Sequence, residues 1–214
     1  MSRAERLKSP RSPTLQLLCI SQVCRQWRRI AVGLPLLWCH INMGYECSVE
    51  FLQYQLQRTQ GVPLHGTLHY RRSDGETEAQ VVQATASILR DCLNRFQTLQ
   101  LHLGQVADPE ECTWWAMRGN ALQLETLKIT TTAQLPSNIL ERGAPKLHTV
   151  DVWACAPLPP TLSIFQVAPL TNLKIIIKGS GLAAPGQLSI GWGNLHPALQ
   201  SLQGTLETLH LSNA

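Results

Sequence analysis

The chain has 214 residues, enough for one domain or for a small module joined to a larger one. Hydrophobic residues make up 44% and charged residues 15%, which excludes general disorder and implies that many elements are buried on more than one side. The net charge of +4 is uneven: residues 1–45 hold seven Lys/Arg and one acid, leaving the remainder at −2, unlike the broad positive face of a nucleic-acid binder.

In chain order, residues 1–13 read as a basic, disordered tail, because Pro10 and Pro13 disfavour helix. Ser9 and Ser12 each precede a proline; an unmodified tail is preferred over proline-directed phosphorylation. Residues 14–32 are expected to be helical. Ile20, Val23, Cys24, Trp27, Ile30 and Ala31 follow the spacing of one buried stripe, with Arg25, Arg28 and Arg29 opposite. Gly33 and Pro35 stop this helix, and Leu36, Leu37 and Trp38 are expected to fold back over the stripe. Trp27 is then a core residue, and Trp27→Ala should open a cavity costing about 3–5 kcal/mol. Residues 49–60 carry a second amphipathic helix, 62–70 alternate like a strand, 71–78 are a polar loop and 79–96 are a helix.

From Phe96 onward one phrase recurs: an apolar residue, two others, an apolar residue, one other, an apolar residue. The copies begin at Phe96, Leu124, Leu147, Leu170 and Leu206, in steps of 28, 23, 23 and 36. The first three steps fit the roughly 20–29 residues of a leucine-rich repeat. The last requires either an insertion or a degenerate strand at Leu188 and Ile190. Alternate residues of each phrase should point inward, and those between them outward on a concave face. The outward set is Gln100, His102, Lys128, Thr130, Asp151, Trp153, Lys174, Ile176 and His210. Trp153 is the favoured binding residue, with packing against a neighbouring strand as the competing reading. Of Trp114 and Trp115, at least one should be core. Return legs such as 137–146 should cover the convex side. The copies lack the Asn position of the strictest repeats, and none is followed by a capping element, so an irregular and incomplete array is expected.

Seven cysteines form an odd set without a C-x-x-C and read as buried reduced thiols. A zinc reading of Cys19, Cys24, Cys39, His40 and Cys47 fails the short knuckle spacing of structural sites. Neither a membrane-spanning stretch nor the apolar core of a signal peptide is present, and there is no N-x-S/T sequon, so the cytosol or nucleus is expected. Phosphate-loop, H-E-x-x-H and G-x-S-x-G motifs are missing, and "GSGLAAPG" (179–186) reads as a loop. His102, His148 and His210 lie in or beside strand phrases and are read as surface positions. The expectation is a non-enzyme with no cofactor and no metal.

The segment "LLCISQVCRQWRRIAVGLPLLWCHI" (17–41) resembles the second half of an F-box in the form found in fungal F-box proteins. That pattern has a hydrophobic helix with a Val-Cys/Ser-x-x-Trp core and then a Pro-x-Leu-Trp loop. Val23, Cys24, Trp27, Ile30, Pro35, Leu37 and Trp38 fall onto it. An irregular leucine-rich-repeat region after the F-box is usual in this family. The family's first helix begins with Leu-Pro and an acidic, Leu/Ile-rich turn; "MSRAERLKSPRSP" has neither, so the F-box is expected to be truncated at its front.

The resemblance implies an α/β protein with a partial helical F-box-like module over 14–45, a linking helix over 46–61 and an irregular leucine-rich-repeat domain with a parallel sheet over 62–214. It further implies a protein-interaction adaptor of an SCF-type ubiquitin ligase. The seven F-box positions would serve a Skp-type adaptor and cullin, and the outward strand residues a protein substrate, with neither nucleic acid nor membrane as partner. An interaction scaffold without ligase coupling is the alternative that the truncated front leaves open.

Overall fold

The computed structural model describes residues 19, 22–44, 48–70, 76–104, 116–156, 158–159, 162–177, 199–200, 202 and 204–213. Ser9, Ser12, Ile20, Trp114, Trp115, Leu188, Ile190 and the 179–186 segment, all singled out from the sequence, lie outside them.

The protein is α/β, with one seven-stranded sheet and few helices. The strands are β1 (His40–Gly44), β2 (Leu64–Tyr70), β3 (Phe96–Leu103), β4 (Thr126–Thr131), β5 (Thr149–Ala154), β6 (Asn172–Ile177) and β7 (Thr208–Asn213). Every pair is parallel, and the spatial order is the chain order, β1 to β7. Among the described residues no helix is long and apolar enough to cross a membrane.

Register turns the recurring phrase into rows. Leu99, Leu127, Val150, Leu173 and Leu209 are successive partners, as are Leu101, Ile129, Val152, Ile175 and Leu211. A parallel pair with matched phrases places like residues side by side, so each strand extends the same apolar row. Both rows are buried on β3 to β6 and join one continuous core with the return legs. The 137–146 leg contributes Ile139, Leu140 and Ala144 to it, and the next contributes Leu162, Ile164, Phe165 and Leu170. On β7 the same rows emerge: Leu209 is 44% exposed and Leu211 37%. β6 pairs directly with β7, so no strand stands between them in the sheet; residues 178–198 of the 36-residue step lie outside the described residues.

β1 is a strand that the sequence did not suggest. "HINMG" is short and carries Asn and Gly, both weak strand formers. It forms because Ile41 and Met43 reach the core beside Gly66 and Leu68 of β2. The sheet therefore starts at His40, inside the segment read as the N-terminal module. Gly66 is required by close packing: a Cβ there would run into the Phe96 ring and come within 3.1 Å of Leu99.

The helices are α1 (Arg25–Gly33), α2 (Val49–Arg58), α3 (Glu76–Cys92) and the one-turn α4 (Ile164–Val167), with a tight 3-10 turn at Pro35–Trp38. α1 is shorter than expected because Cys24 is extended and caps it, its thiol accepting from the Trp27 N–H at 3.5 Å. Ser48 caps α2 through the Phe51 N–H at 3.2 Å, with Glu50 in the first turn and Arg58 in the last complementing the helix dipole.

The expected core of the N-terminal unit is corrected. Of the stripe on α1, Ala31 alone is buried; Val23, Trp27 and Ile30 are exposed at 71%, 53% and 48%. Leu36 and Leu37 are exposed as well and do not cover it. The anchor is Trp38, which turns the other way. Its indole N–H donates to the Ala31 carbonyl at 2.7 Å, and its ring meets Tyr54 of α2 edge-on at 5.7 Å. Gln55 of α2 donates to the carbonyls of Trp38 and His40, at 3.1 and 2.7 Å, tying this turn to β1.

Candidate functional site

The face of the sheet away from the core carries three polar rows. Asn42, Thr67, Gln100, Lys128, Asp151, Lys174 and His210 form the middle one. On one side of it run His40, His65, Thr98, Thr126, Thr149, Asn172 and Thr208; on the other lie His69, His102, Thr130, Trp153, Ile176 and Ser212. Parallel sheets are ordinarily covered on both faces. Here one face offers hydroxyl, amide, imidazole and charged groups in register, a surface suited to hydrogen bonding with an extended partner.

Lys128, Thr130, Trp153 and His210 are exposed on this face, while Gln100, His102, Asp151 and Lys174 are half-buried. Ile176 departs from its expected role. It is only 7% exposed, because it sits in register between the Trp153 indole and Ser212. Trp153 packs against its neighbours while staying partly in solvent: its N–H donates to Asp151 at 3.0 Å, the Lys174 ammonium lies 5.4 Å from its ring, and the residue is 38% exposed.

At the β1 end the same face holds a groove of about 350 Å³, lined by His40, Asn42, His65, Thr67, His69 and Thr98 among others. His40 stacks on His65 with ring centroids 5.0 Å apart, and His69 on His102 at 4.7 Å, nearly parallel. Partial burial holds both His65 and His69 below their ordinary pKa. His40 pushes His65 further down while Glu125 opposes, and His102 adds to the depression of His69. Beside them Cys39 is buried, and its thiol donates to the Leu36 carbonyl at 3.0 Å and lies 3.4 Å from His40 Nδ1. Burial pushes that thiol up.

Of the three histidines that the strand phrases suggested, the structure does not bring any two together. His102 is on β3, His148 precedes β5, where its Nδ1 lies 3.0 Å from the Thr149 hydroxyl, and His210 is on β7. Of the histidines that do come together, His65 and His69 were missed, and His40 was weighed only within the zinc set whose spacing fails. Two of them had a signal: His65 and His69 are four residues apart in an alternating strand and must share a face.

A second exposed surface lies on α1 and the turn after it. Trp27, Ile30 and Leu34 continue one apolar stripe, flanked by Leu36 and Leu37 and bordered by Arg25, Arg28 and Arg29. Pro35 is half-buried, and Cys24 is exposed at the helix start. Of the seven F-box-like positions, Trp38 alone is fully internal.

Compared with family models, curated proteins and solved structures, the chain matches none of them.

Proposed function

We propose that the protein is a non-catalytic interaction adaptor, resembling the substrate-recognition subunit of an SCF-type ubiquitin ligase. In this reading the parallel strands are the concave sheet of an irregular leucine-rich-repeat solenoid. Their polar rows hold the substrate, with Trp153 as anchor and Lys128, Asp151 and Lys174 setting charge register. The observation that carries it is the sheet's order: seven parallel strands in strict chain sequence, one face in the core and the other polar.

The exposed apolar stripe supports the other half of the reading. A soluble helix that leaves Trp27, Ile30 and Leu34 in solvent has surface suited to a partner. By the resemblance, that partner is the Skp-type adaptor; of the seven F-box-like positions, Val23, Trp27, Ile30 and Leu37 are the exposed apolar ones that would meet it. A binding assay with purified Skp-type adaptor and cullin tests this. Association at micromolar affinity or better, weakened at least tenfold by Trp27→Ala, is the expected result. No association, with the protein folded, would leave the scaffold without ligase coupling as the better description.

A further inference from the structure

We propose that Cys39, His40 and His65 form a binding site for a borderline-soft divalent ion, Zn²⁺ in the first instance, at the β1 edge of the sheet. The inference stands apart from the adaptor reading. One donor atom from each of the three residues lies within 4.8 Å of the other two. The Cys39 sulfur and His40 Nδ1 are already 3.4 Å apart. Bonds of about 2.3 Å to sulfur and about 2.0–2.1 Å to nitrogen place tetrahedral donors roughly 3.3–3.8 Å from one another. Closing the remaining gap requires the imidazoles to rotate.

Three features build the site. First, Cys39 is not extended: its φ of −72° and ψ of −14° are helical. In a regular strand neighbouring side chains point to opposite faces; this break in the alternation lets adjacent residues 39 and 40 converge. Second, β1–β2 register puts His65 opposite His40, and the His65 N–H donates to the Cys39 carbonyl at 2.9 Å. Third, the Gln55 amide holds the His40 carbonyl at 2.7 Å, so the scaffold is fixed before any ion arrives.

The donor set chooses the ion. One thiolate and two imidazoles favour Zn²⁺ over Mg²⁺ or Ca²⁺, which take oxygen ligands. On binding, the Cys39 S–H bond breaks, its proton leaves to solvent, and the sulfur electron pair forms the metal bond. The fourth position is then open to a water or to a group supplied by a bound partner, and the adjoining groove gives access.

Titration of the reduced, metal-free 214-residue chain with Co²⁺ alone, followed by displacement with Zn²⁺, tests the site. The expected result is one tight equivalent with a thiolate-to-cobalt charge-transfer band and a tetrahedral visible spectrum, both erased by Zn²⁺. Cys39→Ser should abolish the band, and His40→Gln and His65→Gln should each weaken binding by about tenfold or more. Cys92→Ser should bind like the parent. A parental band and affinity in Cys39→Ser overturn the site, as does parental affinity in both histidine variants. Should Cys39→Ser fail to fold, judged by its circular dichroism, the two histidine variants decide alone, since His40 is exposed and His65 half-buried.

Discussion

The N-terminal helical unit and the sheet carry equally clear apolar patterns, yet only one of them is buried. Leu99 and Leu101 are fully covered, whereas Trp27 and Ile30, on a helix of high amphipathicity, are about half in water. The difference is whether the pattern repeats against itself. Each strand phrase has a neighbour in the same register, so its apolar row continues across the sheet. α1 occurs once, and Ala31 and Trp38 supply its attachment. β7 makes the same point within the sheet: Leu209 and Leu211 hold the rows of Leu99 and Leu101 but are partly exposed where no further described strand follows. Periodicity marks a face as apolar; a neighbour makes it core.

Two tryptophans test the contrast between a covered and an uncovered apolar face most strongly. Trp38→Ala should destabilise the protein by about 3–5 kcal/mol, because it empties a filled site and leaves Ala31 and Tyr54 without their partner. Trp27→Ala should change stability by less than about 1 kcal/mol, since the ring lies largely in solvent. Denaturant midpoints of the two variants measure the contrast; equal losses would mean that α1 packs as tightly as the sheet. Next in size is Gly66→Ala. Its new methyl meets the Phe96 ring inside the core, and overpacking of this kind costs about 1–3 kcal/mol, read in the same unfolding experiment.

The smallest effect concerns the histidine face. His69 has a depressed pKa in the folded chain, so the fold favours its neutral form. Above the ordinary histidine value, near 6.5, folded and unfolded chains are both neutral there and nothing is lost. As pH falls below that value the unfolded chain takes up a proton first, and stability declines. Melting temperature should therefore drop modestly between about pH 7.5 and about pH 5.5, and His69→Gln should flatten part of the slope. An unchanged slope in that variant would place the proton uptake elsewhere, with His65 shifted in the same direction.

Much of the sheet was legible from local pattern. The phrases beginning at Phe96, Leu124, Leu147, Leu170 and Leu206 each became a strand, because alternation of period two acts within a few residues. β1 was not legible, since "HINMG" becomes a strand only when Gly66 and Leu68 lie beside it. Ile176 lies on the outer face, as alternation puts it, yet it is only 7% exposed in register beside Trp153 of the preceding strand, which alternation does not reveal. The Cys39–His40–His65 cluster leaves no spacing signature, because His65 reaches the others through sheet register.

By itself the sequence determined which segments alternate, which residues share a strand face, and that one short helix is amphipathic, because these follow from chain geometry over a handful of residues. Only the assembled fold decided that the parallel sheet begins as early as His40, that Trp38 rather than Trp27 is the internal anchor, and that two stacked histidine pairs flank one groove. Those outcomes depend on which elements meet. Meeting is set by the total apolar surface removed from water across the whole chain, a quantity that no local stretch contains.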